Sequence, residues 1–265
     1  MVTIELPAPT VFAAFGAGFE TPQRMSGGQG LTWRAGDVVV RPSDDPHESV
    51  WKSGVLAELE GGASFRTARP IPTTTGHFVY EGWEAWQWIE GEADESRVVD
   101  VIRAGEAFHN AVSLLRCPAF IERKDNAWSR ADRMAWGECP MPSNTLLDRL
   151  GAEFRPVRLP SQVIHGDLLG NVLFAQGLPP AIIDWAPYWR PAAYGAAIAA
   201  ADAVCWHGWP PDRIGELGVG IPEWRQLLVR ALAFRIATLH NLDSWDAAST
   251  ERHAPVVAAV FELRP

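Results

Sequence analysis

The chain has 265 residues, 47% of them hydrophobic and 21% charged, enough apolar content for a real core and unlike a disordered or fibrous composition. Its net charge is −9, its isoelectric point is about 5.3, and it has no run of lysines or arginines from which to build the basic patch that a nucleic-acid partner needs. Its three cysteines, Cys117, Cys139 and Cys205, are too few and too far apart for a disulfide framework or a zinc site, and are expected to be reduced thiols of a cytoplasmic protein.

Taken in order, the chain opens on an apolar stretch, 11–19, that follows Glu5 rather than a basic region, so no secretion signal is expected. No run approaches the roughly 20 apolar residues that cross a bilayer. Thr10 is placed to cap a helix with Phe12 and Phe15 on one face. A glycine cluster follows, Ser26, Gly27, Gly28, Gln29 and Gly30, then two strand-like runs, 31–34 and 38–41, joined at Gly36-Asp37. Backbone N–H groups in such a turn suit the covering of phosphates. Asp44-Asp45-Pro46 introduces a helix to about Glu60, with Val50, Leu56 and Leu59 as its apolar positions.

Strand-like runs follow at 77–80 and 84–89, with Trp83, Trp86 and Trp88 alternating with small or polar residues. Helical spacing of apolar residues resumes at 97–115. Residues 116–145 carry no readable pattern before a short helix at 146–150. Beyond Pro187 the chain reads as helices at 191–206, 222–241 and 255–263, broken by a Gly-Trp-Pro-Pro loop. Strands first and helices later describe an α+β protein.

The stretch on which the rest turns is 163–187, VIHGDLLGNVLFAQGLPPAIIDWAP. Strand-forming runs flank His165-Gly166-Asp167, follow Asn171 and lead back to Asp184, with a Gly-Leu-Pro-Pro reversal between. A hairpin of this kind sets Asp167, Asn171 and Asp184 around one small volume, and the segment holds no lysine or arginine to neutralise them. Such a volume suits a hard divalent cation that takes its remaining oxygen ligands from phosphate and water, which points to Mg²⁺ and a nucleotide. A facial iron site using His165, Asp167 and a later His207 or His240 leaves Asn171 and Asp184 without a role.

HGDLLGN, the short hairpin and Ile183-Asp184-Trp185 resemble the catalytic and metal loops of the kinase-like phosphotransferases, the aminoglycoside phosphotransferase and choline kinase group. The resemblance implies a two-lobed protein-kinase-like fold, with a small β-rich nucleotide-binding lobe over 1–91 and a larger, mainly helical lobe over 92–265. It implies Asp167 as the base that takes the acceptor's hydroxyl proton, and Asn171 and Asp184 on Mg²⁺. ATP or GTP would be the phosphoryl donor, held by Ser26 to Gly30. Arg41 stands where the family has a phosphate-contacting lysine, Glu48 or, less favoured, Glu58 would pair with it, and a hinge through Gln87 and Ile89 would meet the base. The implied activity is phosphoryl transfer to a hydroxyl of a small molecule, an aminoglycoside, amino-alcohol or sugar, with neither nucleic acid nor membrane as partner. The arginine at position 41 raises an alternative, a nucleotide-binding protein with little transfer. Trp185, Tyr188, Trp189, Trp206 and Trp209 are either faces for an ammonium group or core.

Overall fold

A computed structural model describes residues 6–25 and 30–264. The expected phosphate-turn residues Ser26, Gly27, Gly28 and Gln29 lie outside them. The chain forms two compact units, one made of Met1–Glu92 with Phe174–Ile183, the other of Ala93–Leu173 with Asp184–Pro265. The result is a mixed α/β protein with a sheet in its N-terminal region and helices in its C-terminal region.

In the first unit, α1 (Pro9–Ala14) leads to β1 (Gln23–Arg24), β2 (Trp33–Ala35) and β3 (Val38–Pro42), followed by α2 (Pro46–Glu58) and β4 (Arg66–Thr67). Two further strands, β5 (Val79–Tyr80) and β6 (Trp83–Gln87), complete an antiparallel sheet ordered β1-β2-β3-β6-β5. Val11, Phe12 and Phe15 of the first helical segment bury against Ala35, Val40 and Ala85 of this sheet. Ala8 caps α1 without a side-chain bond and Pro9 occupies the first turn, so Thr10 lies inside the helix and does not cap it. The α2 helix starts as its Asp-Pro pair predicts, with the Asp45 side chain accepting from the His47 N–H at 2.8 Å. Its inward face differs from expectation. Val50 is exposed, whereas Glu48, Ser49, Lys52 and Ser53 are buried beside Leu56. The reason is a charge on the sheet, Glu84, which draws polar groups inward.

The second unit begins in β7 (Glu92–Ala93) and a 3₁₀ turn at Glu95–Arg97, then α3 (Val98–Ala111), α4 (Ala119–Arg123), α5 (Ala127–Ala135) and α6 (Thr145–Ala152). The unreadable stretch thus holds two short helices, the second closed by a capping box between Asn126 and Ser129. Strand β8 (Ser161–His165) is followed by β9 (Val172–Phe174); the returning strand β10 (Ala181–Ile182) belongs to the first unit, where it pairs in parallel with β4. Strand β11 (Pro187–Pro191) pairs antiparallel with β8, from Pro187 opposite His165 to Pro191 opposite Ser161. Three helices complete the unit: α7 (Ala192–Trp206), then, after a 3₁₀ segment at Pro211–Gly218, α8 (Trp224–Asn241) and α9 (Ala247–Glu262). The last begins well before Pro255, which sits inside it, because Asp246 caps it by accepting from the Ser249 N–H at 2.7 Å. Among the described residues no helix is long and apolar enough to cross a membrane.

Half of the buried residues of helix α7 are alanines and one is Gly195, small side chains that let its backbone approach β8 closely. At Gly195 an added Cβ would lie 2.8 Å from the His165 carbonyl oxygen and 2.7 Å from the His109 ring. Backbone cannot yield as a flexible side chain can. Gly195→Ala is therefore expected to lower unfolding free energy by about 1–3 kcal/mol, read from urea denaturation. A change within about 0.5 kcal/mol would show that α7 is free to shift.

Candidate active site

The loop after β8 is tied down at Gly166, Asp167, Leu168 and Asn171. The Gly166 N–H donates to the Ala186 carbonyl at 2.9 Å, continuing the β8–β11 ladder, and an added Cβ on Gly166 would meet the Tyr188 ring at 2.4 Å. That close approach explains the glycine between His165 and Asp167. Next, the Asp167 N–H donates to His165 Nδ1 at 3.1 Å, and the His165 N–H donates to His109 Nε2 at 2.9 Å. Both imidazoles are buried and accept through one nitrogen, so each is held as a neutral tautomer. Leu168 is fully buried and fills the space above Gly105 of α3. The Asn171 N–H closes the turn on the Leu168 carbonyl at 2.9 Å.

Asp184 is placed by the residue after it. Trp185 is buried, its Nε1 donates to the Ile164 carbonyl at 3.1 Å, and its ring packs edge-on against Phe108 at 5.1 Å. Asp184 itself is exposed and left-handed, with φ +49°, a conformation that costs a non-glycine residue free energy, though Asp tolerates it better than most. Because Pro187 lies opposite His165 in the ladder, Asp184 and Asp167 leave the same end of the β8–β11 pair.

Asp167 has company that the sequence does not reveal. Arg235 Nη2, from α8, donates to Asp167 Oδ1 at 2.7 Å across a separation of 68 residues. Arg235 also grips Asp202 of α7, through Nε to Oδ1 at 2.7 Å and through Nη2 to Oδ2. The expectation of carboxylates without a neutralising cation is corrected for Asp167, since the cation arrives through the tertiary fold. Burial works against the charged guanidinium, but Asp202 and then Asp167 more than offset it and hold its pKa above the ordinary arginine value.

The donor set fits a hard cation. Asn171 Nδ2 donates to the Asp167 carbonyl at 2.8 Å and to Asp167 Oδ2 at 3.2 Å, which leaves the amide's donor end facing Asp167. A carboxamide oxygen and the Asp184 carboxylate are the oxygen donors that Mg²⁺ prefers, with phosphate and water able to supply the rest. Among the described residues no group of three His, Cys, Asp or Glu could hold a metal, so the iron arrangement finds no support in His207 or His240. His240 instead bonds Asn144 at 3.0 Å and stacks on Trp245. Of the aromatic candidates, Trp185 and Tyr188 are core, and Trp206 is exposed.

In the first unit, Arg41 lies directly opposite Glu84 in the β3–β6 ladder, and its Nε donates to Glu84 Oε1 at 2.6 Å. Trp86 Nε1 donates to the same oxygen at 3.0 Å. Burial pushes the Glu84 carboxyl up, but Arg41 and Lys52 pull harder and hold it below the usual range. Glu48 lies one helical turn from Lys52, 3.4 Å away. Glu84 and Lys52, neither expected from sequence, therefore join Arg41 and Glu48 in a cluster of two cations and two carboxylates. A charged residue between Trp83 and Trp86 on a strand was the signal for Glu84. Gly30 is left-handed, φ +71°, and its carbonyl accepts from Arg24 Nε at 2.8 Å. The Gln87 N–H donates to the Arg69 carbonyl at 2.7 Å and so is not available to a nucleotide base, while Ile89 lies beyond the strand and is half-buried.

Burial, and secondarily the neighbouring His165, push the His109 pKa from 6.5 down to about 3. The unfolded chain takes up that proton near pH 6.5 while the native chain stays neutral, so stability falls as pH drops through the interval between the two values. The loss approaches about 1.4 kcal/mol per pH unit from this one group. His109→Gln, which can still accept from the His165 N–H, is expected to show a shallower loss of stability between pH 6.5 and pH 4 in urea unfolding. Equal slopes in parent and variant would remove His109 as the source.

No protein-family model matches the chain, and no curated protein sequence matches it. Solved structures do. Spectinomycin phosphotransferase in its AMP complex superposes with TM-score 0.58 at 13% identity, covering 97% of both chains. A microcompartment-associated aminopropanol kinase gives 0.60 at 13%, covering 95% of this chain and 94% of that one. Amicoumacin kinase, solved in complex with AMP-PNP, Ca²⁺ and Ami, gives 0.62 at 11%, covering 90% of this chain and 87% of that one. Identities this low speak to the backbone alone: the chain has the fold of the aminoglycoside phosphotransferase and choline/ethanolamine kinase-like proteins.

Proposed function

We propose that this protein is a phosphotransferase that moves the γ-phosphoryl group of ATP or GTP to a hydroxyl of a small molecule. The observation that carries the reading is the arrangement of Asp167 and Asn171, each holding the other, at the same end of the β8–β11 ladder as a left-handed, exposed Asp184. It is supported by a fold shared with small-molecule kinases of several acceptor classes.

In this reading Asp167 orients the acceptor hydroxyl and takes its proton, while the oxygen forms a bond to the γ-phosphorus. The bond from that phosphorus to the β–γ bridging oxygen breaks, and the nucleoside diphosphate leaves with the electron pair. Asn171 and Asp184 would hold Mg²⁺, which would supply charge neutralisation on the phosphate oxygens. Arg41 and Gly30 of the first unit are the proposed phosphate contacts, and Glu84 orients the Arg41 guanidinium. Catalysis is then positioning and charge stabilisation rather than covalent chemistry. The acceptor class is an aminoglycoside, amino-alcohol or sugar-like alcohol.

The test is γ-phosphate transfer from Mg-ATP and Mg-GTP to spectinomycin, 1-amino-2-propanol and ethanolamine, with water as the reference acceptor. Asp167→Asn is expected to bind Mg-nucleotide as the parent does while kcat falls by about 10²–10⁴. Asp184→Ala is expected to lose the metal dependence of nucleotide binding with its melting temperature preserved. Unchanged Mg-nucleotide affinity in Asp184→Ala would overturn the metal assignment, and unchanged turnover in Asp167→Asn the base assignment.

A further inference from the structure

We propose that Arg235, anchored on Asp202, is a positioning residue that fixes which oxygen of Asp167 receives the acceptor's proton. The inference rests on the phosphotransfer reading and adds to it two residues on helices remote in sequence from the catalytic loop.

The three side chains come from three elements and differ in exposure. Asp202 and Arg235 are nearly enclosed, with side chains 9% and 12% exposed, whereas Asp167 is 46% exposed. The bidentate grip on Asp202 sets the plane of the guanidinium. Nη2 is thereby aimed outward at Asp167 Oδ1, 2.7 Å away. A buried ion pair is a poor device for stability alone, because desolvating both charges offsets most of their attraction and an apolar pair of similar volume would often serve as well. What an apolar pair could not do is hold Asp167, the more exposed of the two carboxylates.

The two oxygens of Asp167 are consequently unequal. Oδ1 takes a short, charge-assisted bond from Arg235, and Oδ2 takes only the longer 3.2 Å bond from Asn171. Oδ2, the less strongly engaged of the two, keeps more capacity for a new hydrogen bond and becomes the oxygen that meets the hydroxyl. Rotation of the carboxylate would break the bond to Arg235, so the fork also fixes the orientation of the base. A lysine at 235 could supply charge but no fork, and would leave the plane unset.

The experiment uses the full chain, Mg-ATP and whichever probe acceptor, water included, the parent phosphorylates fastest. In Asp202→Leu/Arg235→Met, neither charge is left buried without its partner, so the fold is expected to survive, with a melting temperature near the parent's. Its kcat is expected to fall by about a hundredfold while KM for Mg-ATP stays within about twofold. Arg235→Lys is expected to fall between parent and double variant in kcat, again with nucleotide KM unchanged, and decides the matter if the double variant does not fold. Parent-like kcat in either folded variant would overturn the inference, as would a loss matched by an equal loss of Mg-ATP binding. A parent chain that transfers phosphate to none of the acceptors, water included, would instead overturn the phosphotransfer reading, and this inference with it.

Discussion

The antiparallel pairing of Ser161–His165 with Pro187–Pro191 is the constraint on which the second unit depends. It converts a separation of some twenty residues in sequence into adjacency, delivering the loop of Asp167 and the turn of Asp184 from the same end of one ladder. Its position in the unit is held by groups that cannot move independently. Gly195 lets α7 press against the His165 carbonyl, His109 accepts the His165 N–H, and Trp185 donates back to the Ile164 carbonyl. Two of these contacts are hydrogen bonds to backbone groups of β8, and leaving such a buried group without a partner costs more than a made bond contributes.

Charge is distributed in the same way in both units: a cation and a carboxylate sit inside, and a more exposed charged side chain is held at their edge. In the second unit Asp202 holds Arg235 and Arg235 holds Asp167. In the first, Glu84 on one strand holds Arg41 on the next, with Lys52 and Glu48 arriving from α2. At reduced dielectric such contacts are stronger and more directional than on the surface, but only when nearly every donor and acceptor is matched. The inward polar face of α2 follows from this requirement. A helix read by hydrophobicity alone would bury Val50, yet the chain turns Lys52 and Ser49 toward the sheet and leaves Val50 in solvent.

Much of the fold was legible in the chain. Asp45-Pro46 marked the start of α2, apolar periodicity marked α3 and α8, and the alternating runs around 163–187 marked the strands and turns of the central stretch. Boundaries failed where a local signal lost to a stronger neighbour. Thr10 did not cap because Pro9 already opens the helix, and α9 began at its Asp246 cap rather than at Pro255. Residues 116–145 gave no periodicity because their two helices are too short to show one.

What the sequence by itself determined is the order of strands and helices and the placing of Asp167, Asn171 and Asp184 at turn positions of one short stretch. Those depend on spacing within about 25 residues, which local backbone geometry translates directly into place. What only the tertiary structure decided is the partner of each charge. Arg235 meets Asp167 across 68 residues and Glu84 meets Arg41 across 43, because helix packing and strand register chose them. A chain with 23 lysines and arginines and 32 carboxylates offers hundreds of possible pairings, and nothing local distinguishes among them. Burial does: only a pair that the fold encloses together must find its partner, since water serves all the others.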